Sequence, residues 1–119
     1  LDKFNKNYEP FTMTSDIIFD EDLEYNWNNH KIFLKKLQGH SKGSCFIFLD
    51  NKIIFTGDTL LKDYPIITRF PRGNTKTYKN ITIPYIKNLD RNFTIFPGHG
   101  APFELNDLYD EGKLHVELK

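Results

Sequence analysis

Three side chains in this sequence have the types and settings from which a metal centre can be built. They are His40 in Gly39-His40-Ser41, Asp58 in Gly57-Asp58-Thr59, and His99 in Pro97-Gly98-His99-Gly100. Two imidazoles and a carboxylate are a mix of borderline and hard donors suited to Zn²⁺, and the same atoms accept Mn or Fe. Each follows a glycine, which permits unusual backbone angles and the close approach of a second group. Singly, none carries much information. Gly-His pairs are common, and an Asp after Gly is ordinarily a turn or a helix cap. The joint pattern is sharper than its parts, because each of the three lies just beyond a segment that reads as a strand, where sites are usually built.

The elements that must position these groups follow from periodicity. Cys45 to Leu49 is an apolar run, Asp50-Asn51 is a turn signal, and Ile53 to Phe55 returns as the second strand of a hairpin. That hairpin carries His40 before its first strand and Asp58 after its second. Ile32 and Leu34 alternate with Lys31 and Lys35, so residues 29–39 read as a further strand. Ile17 to Phe19 is a possible short strand. From Leu61 to Gly73 the chain is loop-like, with Pro65, Pro71 and Gly73. Tyr78, Ile81, Tyr85, Ile86 and Leu89 recur at helical spacing, with Asn74 or Thr75 as N-cap. Pro84 sits inside this pattern, so a kinked or split helix is expected there. Phe93 to Phe96 is a short strand that delivers His99. Residues 104–112 can form a short helix, and residues 113–118 alternate like a strand.

The bulk properties bound the function. The chain has 119 residues, enough for a single unit with a modest core. Sixteen basic and sixteen acidic residues cancel. This speaks against a nucleic-acid binder that works by neutralising phosphates and against a polybasic membrane anchor. One cysteine, Cys45, excludes a disulfide framework and a cysteine-rich zinc site within the chain. No apolar run approaches a membrane span and no signal peptide is visible in the first residues, so a cytoplasmic protein is expected.

The three segments together resemble the C-terminal half of the metallo-β-lactamase-fold hydrolases of the dinuclear, glyoxalase II-like type. The resemblance rests on Gly39 to Ser44 (GHSKGS), Phe55 to Leu61 (FTGDTLL) and Phe96 to Gly100 (FPGHG), in that order, and covers residues 16–104. It implies a mixed α/β unit: one mainly antiparallel sheet with covering helices, half of a four-layer αββα sandwich. It implies that His40 belongs to a first metal site, that Asp58 bridges two metals and is the catalytic carboxylate, and that His99 belongs to the second. Two zinc ions are implied in the complete fold, with Mn or Fe as alternatives. The implied reaction is attack of metal-activated water on an ester, thioester or lactam-type bond of a small-molecule substrate. The basic stretch Arg69, Arg72 and Lys76 is then a candidate for recognising an anionic group on that substrate.

The sequence departs from the family pattern in one respect. The His-x-His-x-Asp-His motif that supplies the remaining ligands is absent; the four histidines are His30, His40, His99 and His115. Residues 1–119 are therefore expected to be the C-terminal portion of a longer hydrolase, an expectation in keeping with a first residue that is Leu rather than Met. Alone, the chain is expected to bind metal weakly and to be inactive. With one Trp, six Tyr and eleven Phe, a bare apolar sheet face is expected, to be covered either by the missing N-terminal half or by a second copy of the chain. The competing reading is a catalytically inactive half-fold that serves as an interaction module. Cys45 reads as an inert core thiol, Ser41 and Ser44 as partners of the loop, and His30 and His115 as surface residues.

Overall fold

Two hairpins in succession begin the sheet. The computed structural model describes residues 14–20, 22–64, 66, 68 and 73–110. Strand β1 (Asp22–Trp27) pairs antiparallel with β2 (His30–Lys36) through a two-residue turn, Asn28-Asn29. Both turn residues have positive φ (47° and 66°), the left-handed conformation that matches strand twist and that Asn tolerates. β2 pairs antiparallel with β3 (Cys45–Leu49), and β3 with β4 (Ile53–Gly57). The β3–β4 turn also uses positive φ, at Asp50 and Asn51 (both 54°).

After β4 the chain leaves the sheet and returns through a helical crossover. Asn74 caps that crossover, its side chain accepting the Thr77 N–H at 3.0 Å. Helix α1 (Thr75–Thr77) runs into a π-helical segment (Tyr78–Thr82) and then α2 (Ile83–Lys87). Pro84 explains the split. It has no N–H to continue the i→i−4 ladder, and the chain takes up the mismatch as a π turn in which the Ile83 N–H reaches the Tyr78 carbonyl. Strand β5 (Thr94–Pro97) then lies parallel to β4. β6 (Phe103–Glu104) pairs antiparallel with β5 and leads into α3 (Leu105–Asp110). The sheet order is β1-β2-β3-β4-β5-β6, antiparallel except at β4–β5.

One face of this sheet is covered. Phe46, Phe48, Ile54 and Ile95 pack with Leu37, Leu60 and Phe103 against Ile86 of α2 and Leu105 and Leu108 of α3. Each such buried side chain is worth about 1.5–3 kcal/mol relative to exposure. The other face is apolar too. Strand register places Leu23, Tyr25, Ile32, Leu34, Ile47, Leu49, Ile53, Phe55 and Phe96 together on it. Tyr25 and Phe55 are 47% and 40% exposed there. A strand that faces solvent on one side alternates apolar with polar, whereas these strands carry apolar residues on both sides.

One expectation is corrected and one strand was missed. Residues 17–19 form no strand; Ile17 and Ile18 stand exposed beside β1 instead. β1 itself was not expected, because Asp22, Glu24 and Asn26 dilute its apolar alternation. The helix over residues 74–89, expected to be kinked or split at Pro84, is split, into three pieces. The strand expected over residues 113–118, and His115 with it, lies outside the described residues. No helix among the described residues is long and apolar enough to cross a membrane.

Candidate metal centre

β2 ends, β3 begins, and β4 and β5 end at the same rim of the sheet. The loops that leave these ends carry His40, Asp58 and His99. Parallel pairing of β4 with β5 is the decisive step, since it brings the chain after Pro97 beside the chain after Gly57. The register shifts between Phe55 and Gly57, leaving Thr56 as an extra residue, and such bulges re-aim the residues that follow. The Asp58 turn is held from within: Thr56 Oγ1 donates to the Leu60 carbonyl (2.9 Å) and the Thr59 N–H to the Thr56 carbonyl (3.1 Å).

Two glycines are required by contact. The Gly98 N–H donates to the Gly57 carbonyl at 2.8 Å, and a Cβ on residue 98 would lie 2.6 Å from Asp58 Oδ1. At Gly39, whose φ is +140°, a Cβ would lie 2.5 Å from Cδ1 of Tyr78. Any side chain at 98 would displace the Asp58 carboxylate, and any at 39 would displace a buried ring.

The result is one carboxylate between two imidazoles. Asp58 Oδ2 is 3.7 Å from His40 Nε2, and Asp58 Oδ1 is 3.2 Å from His99 Nε2. The three side chains are 28%, 36% and 63% exposed for His40, Asp58 and His99. Each imidazole thus addresses a different carboxylate oxygen. Among the described residues no three His, Cys, Asp or Glu side chains gather as a site for a single ion. Two imidazoles and a carboxylate are nonetheless donors whose chemistry fits a metal ion.

Other candidates fall outside this cluster. Arg69 and Arg72 lie outside the described residues, and Lys76 stands exposed on α1. Ser41 and Ser44 bond one another (Oγ···Oγ 2.8 Å), and Ser44 Oγ accepts the Ser41 N–H, which closes the His40 loop. Cys45 is half-buried on the uncovered face; burial pushes its thiol up, with Lys36 acting in the opposite direction. His30 is at the far rim, 2.6 Å from Asp50. Two residues at the site were not anticipated. Tyr64 meets His99 edge-on, with ring centroids 6.2 Å apart, and sits in a loop without periodicity. Tyr78 was legible only as an apolar helix position.

Several solved structures share this fold. A B3 metallo-β-lactamase, BLEG-1, superposes with a TM-score of 0.71 at 17% identity, over 92% of this chain and 53% of its own. The fold is that of the metallo-β-lactamase superfamily. ETHE1 from Myxococcus xanthus is similar (TM-score 0.65, 19% identity, 79% of this chain and 43% of its own). So is TTHA1623 in a di-iron-bound form (0.57, 22%, 66% and 39%). The chain therefore spans about half the length of the solved structures it matches. No protein-family model matches the sequence, and no curated protein matches it at a significant level.

Proposed function

We propose that this chain is the C-terminal part of a metal-dependent hydrolase, of the glyoxalase II-like type, that cleaves an ester, thioester or lactam-type bond in a small molecule. The observation that carries the reading is Asp58 set between His40 and His99, each on its own carboxylate oxygen. Its likeness in fold to a B3 metallo-β-lactamase and to a protein in a di-iron-bound form supports a metal. We take the ions to be zinc, with Mn or Fe suited to the same donors.

In this reading His40 and Asp58 hold one ion, and Asp58 and His99 the other. When bound, such a pair supplies water that ionises near neutral pH and a Lewis acid for developing negative charge. The chain's own part is placement. Gly98 lets Asp58 approach the β5 loop, the Thr56 bonds fix the turn, and the Tyr64 ring meets the His99 ring edge-on. Arg69, Arg72 and Lys76 remain the proposed anion-recognising residues, and a cytoplasmic location is part of the same proposal.

The remaining ligands and the cover for the apolar face are proposed to come from one source, the half of the fold that this chain does not span. Two observations support this occupant: apolar residues on both sides of β2 and β3, and a match to about half of each comparison structure. The test is to read the coding DNA upstream of the Leu1 codon and express what it encodes with this chain. An in-frame His-x-His-x-Asp-His motif, with zinc-dependent hydrolysis abolished by Asp58→Ala, supports the proposal. A segment without those ligands overturns it in favour of an interaction module. Symmetric dimers of the chain by sedimentation would instead identify a second copy as the cover.

A further inference from the structure

Among the described residues Tyr78 is the largest fully buried side chain, and it touches two loops that are remote in sequence. Its ring occupies the space beside Gly39, where a Cβ would come within 2.5–2.9 Å of three of its carbons. Its hydroxyl donates to the Thr59 carbonyl at 2.5 Å. Gly39 precedes His40, and Thr59 follows Asp58. The same helical segment adds two bonds on the His40 side. The Asn74 N–H donates to the Gly39 carbonyl (2.6 Å), and Thr82 Oγ1 donates to the Gln38 carbonyl (2.5 Å). Burial pushes the Tyr78 phenol far above its usual range, so the group is a neutral donor throughout the physiological range.

We propose that Tyr78 is a positioning residue that sets the separation of His40 and Asp58, its ring seating one loop and its hydroxyl tethering the other. The inference rests on the reading of this rim as a metal centre, but the clamp itself is a property of the metal-free chain. A residue that only filled core would need the ring. The hydroxyl's tie to Thr59 is what makes the two loops move as one.

The two parts separate experimentally. Native-state amide exchange is measured on the 119-residue chain, on Tyr78→Phe and on Tyr78→Leu, without metal. Tyr78→Phe keeps the ring and loses the tether. It is expected to speed exchange of the Thr59 amide by about tenfold, while the Asn74 amide and the β3–β4 ladder change little. Tyr78→Leu is expected to speed both Thr59 and Asn74. Uniform acceleration across the ladder, or an unchanged Thr59 in Tyr78→Phe, overturns the proposal; Tyr78→Phe alone decides it if the leucine variant does not fold. Co²⁺ is then titrated into the same variants, each co-expressed with the segment encoded upstream of the Leu1 codon, and followed by its visible absorption. Affinity is expected to fall about tenfold in Tyr78→Phe and to hold in Tyr109→Phe, whose hydroxyl is remote from the rim. Equal Co²⁺ affinity in wild type and Tyr78→Phe overturns the positioning role. Absence of any Co²⁺ spectrum in the wild-type chain joined by its upstream segment overturns the metal reading, and the exchange contrast still decides the clamp.

Discussion

The two rims of the sheet each hold an Asp against a His, and they differ in kind. At the turn rim, His30 Nδ1 lies 2.6 Å from Asp50 Oδ2, while Asp50 Oδ1 accepts the Lys31 N–H at 2.8 Å. The Asp50 N–H returns to the Lys31 carbonyl at 2.9 Å. That carboxylate is consumed in stitching two tight turns together. At the loop rim, Asp58 faces two imidazoles at 3.2 and 3.7 Å, and the second distance is too long for a direct hydrogen bond. The same residue types give a closed structural pair in one place and one carboxylate facing two imidazoles in the other. What separates them is the connection. Short turns leave no room, whereas loops of several residues around Gly39, Gly57 and Gly98 hold the groups near one another without closing the gap.

If that contrast is right, the largest effect belongs to Asp58. In the chain completed by its upstream segment, Asp58→Ala is expected to weaken Co²⁺ binding by more than about 100-fold while thermal stability holds or rises. Asp50→Ala should do the reverse, leaving Co²⁺ binding alone and lowering the melting temperature. Equal effects of the two on metal would erase the distinction.

Next comes Gly98→Ala. Its Cβ would sit 2.6 Å from Asp58 Oδ1 and 3.0 Å from the Gly57 carbonyl carbon. Overpacking of this sort costs about 1–3 kcal/mol, to be read from urea denaturation midpoints, and it should disturb His99 and Asp58 resonances before those of the turn rim.

A smaller effect is expected from acid. The His30 ring, first, and the Lys31 N–H, second, hold the Asp50 carboxyl below its ordinary value of 3.8. A depressed folded value means the stabilisation is fully present above the unfolded value and is lost as pH falls through the folded one. Trp27, the chain's one tryptophan, stacks against His30 at 6.3 Å and so reports on the pair. Asp50→Asn should remove the acid-side change in Trp27 fluorescence; a change that persists would assign it elsewhere. The smallest effect is Tyr109→Phe. The Tyr109 hydroxyl is buried without a hydrogen-bond partner among the described residues, and Arg91 lies over the ring at 3.8 Å. Removing the hydroxyl should change stability by no more than about 0.5 kcal/mol, in the stabilising direction, by the same denaturation assay.

Much of the sheet was legible in the sequence. The β2 alternation, the β3–β4 hairpin with its Asp50-Asn51 turn, the Asn74 cap and the break at Pro84 all follow from local rules that need no tertiary partner. β1 was not legible, because its partner decides it: Leu23 and Tyr25 are held by Leu34 and Ile32 across the hairpin, and its own alternation is diluted by acidic residues. Tyr64 and Tyr78 escaped for a related reason. A tyrosine in a loop or on a helix carries no sign of what its ring or hydroxyl will meet.

The sequence by itself determined which groups could do chemistry and that each would stand just past a strand, because glycine placement and strand periodicity are local. Only the tertiary structure decided that Asp58, rather than Asp50, would lie between two imidazoles. That depends on β5 returning parallel to β4 through a helical crossover, with Gly57 against Pro97. Such register is set by packing Ile54, Ile95 and Ile86 into one core, over a separation that no local pattern can encode.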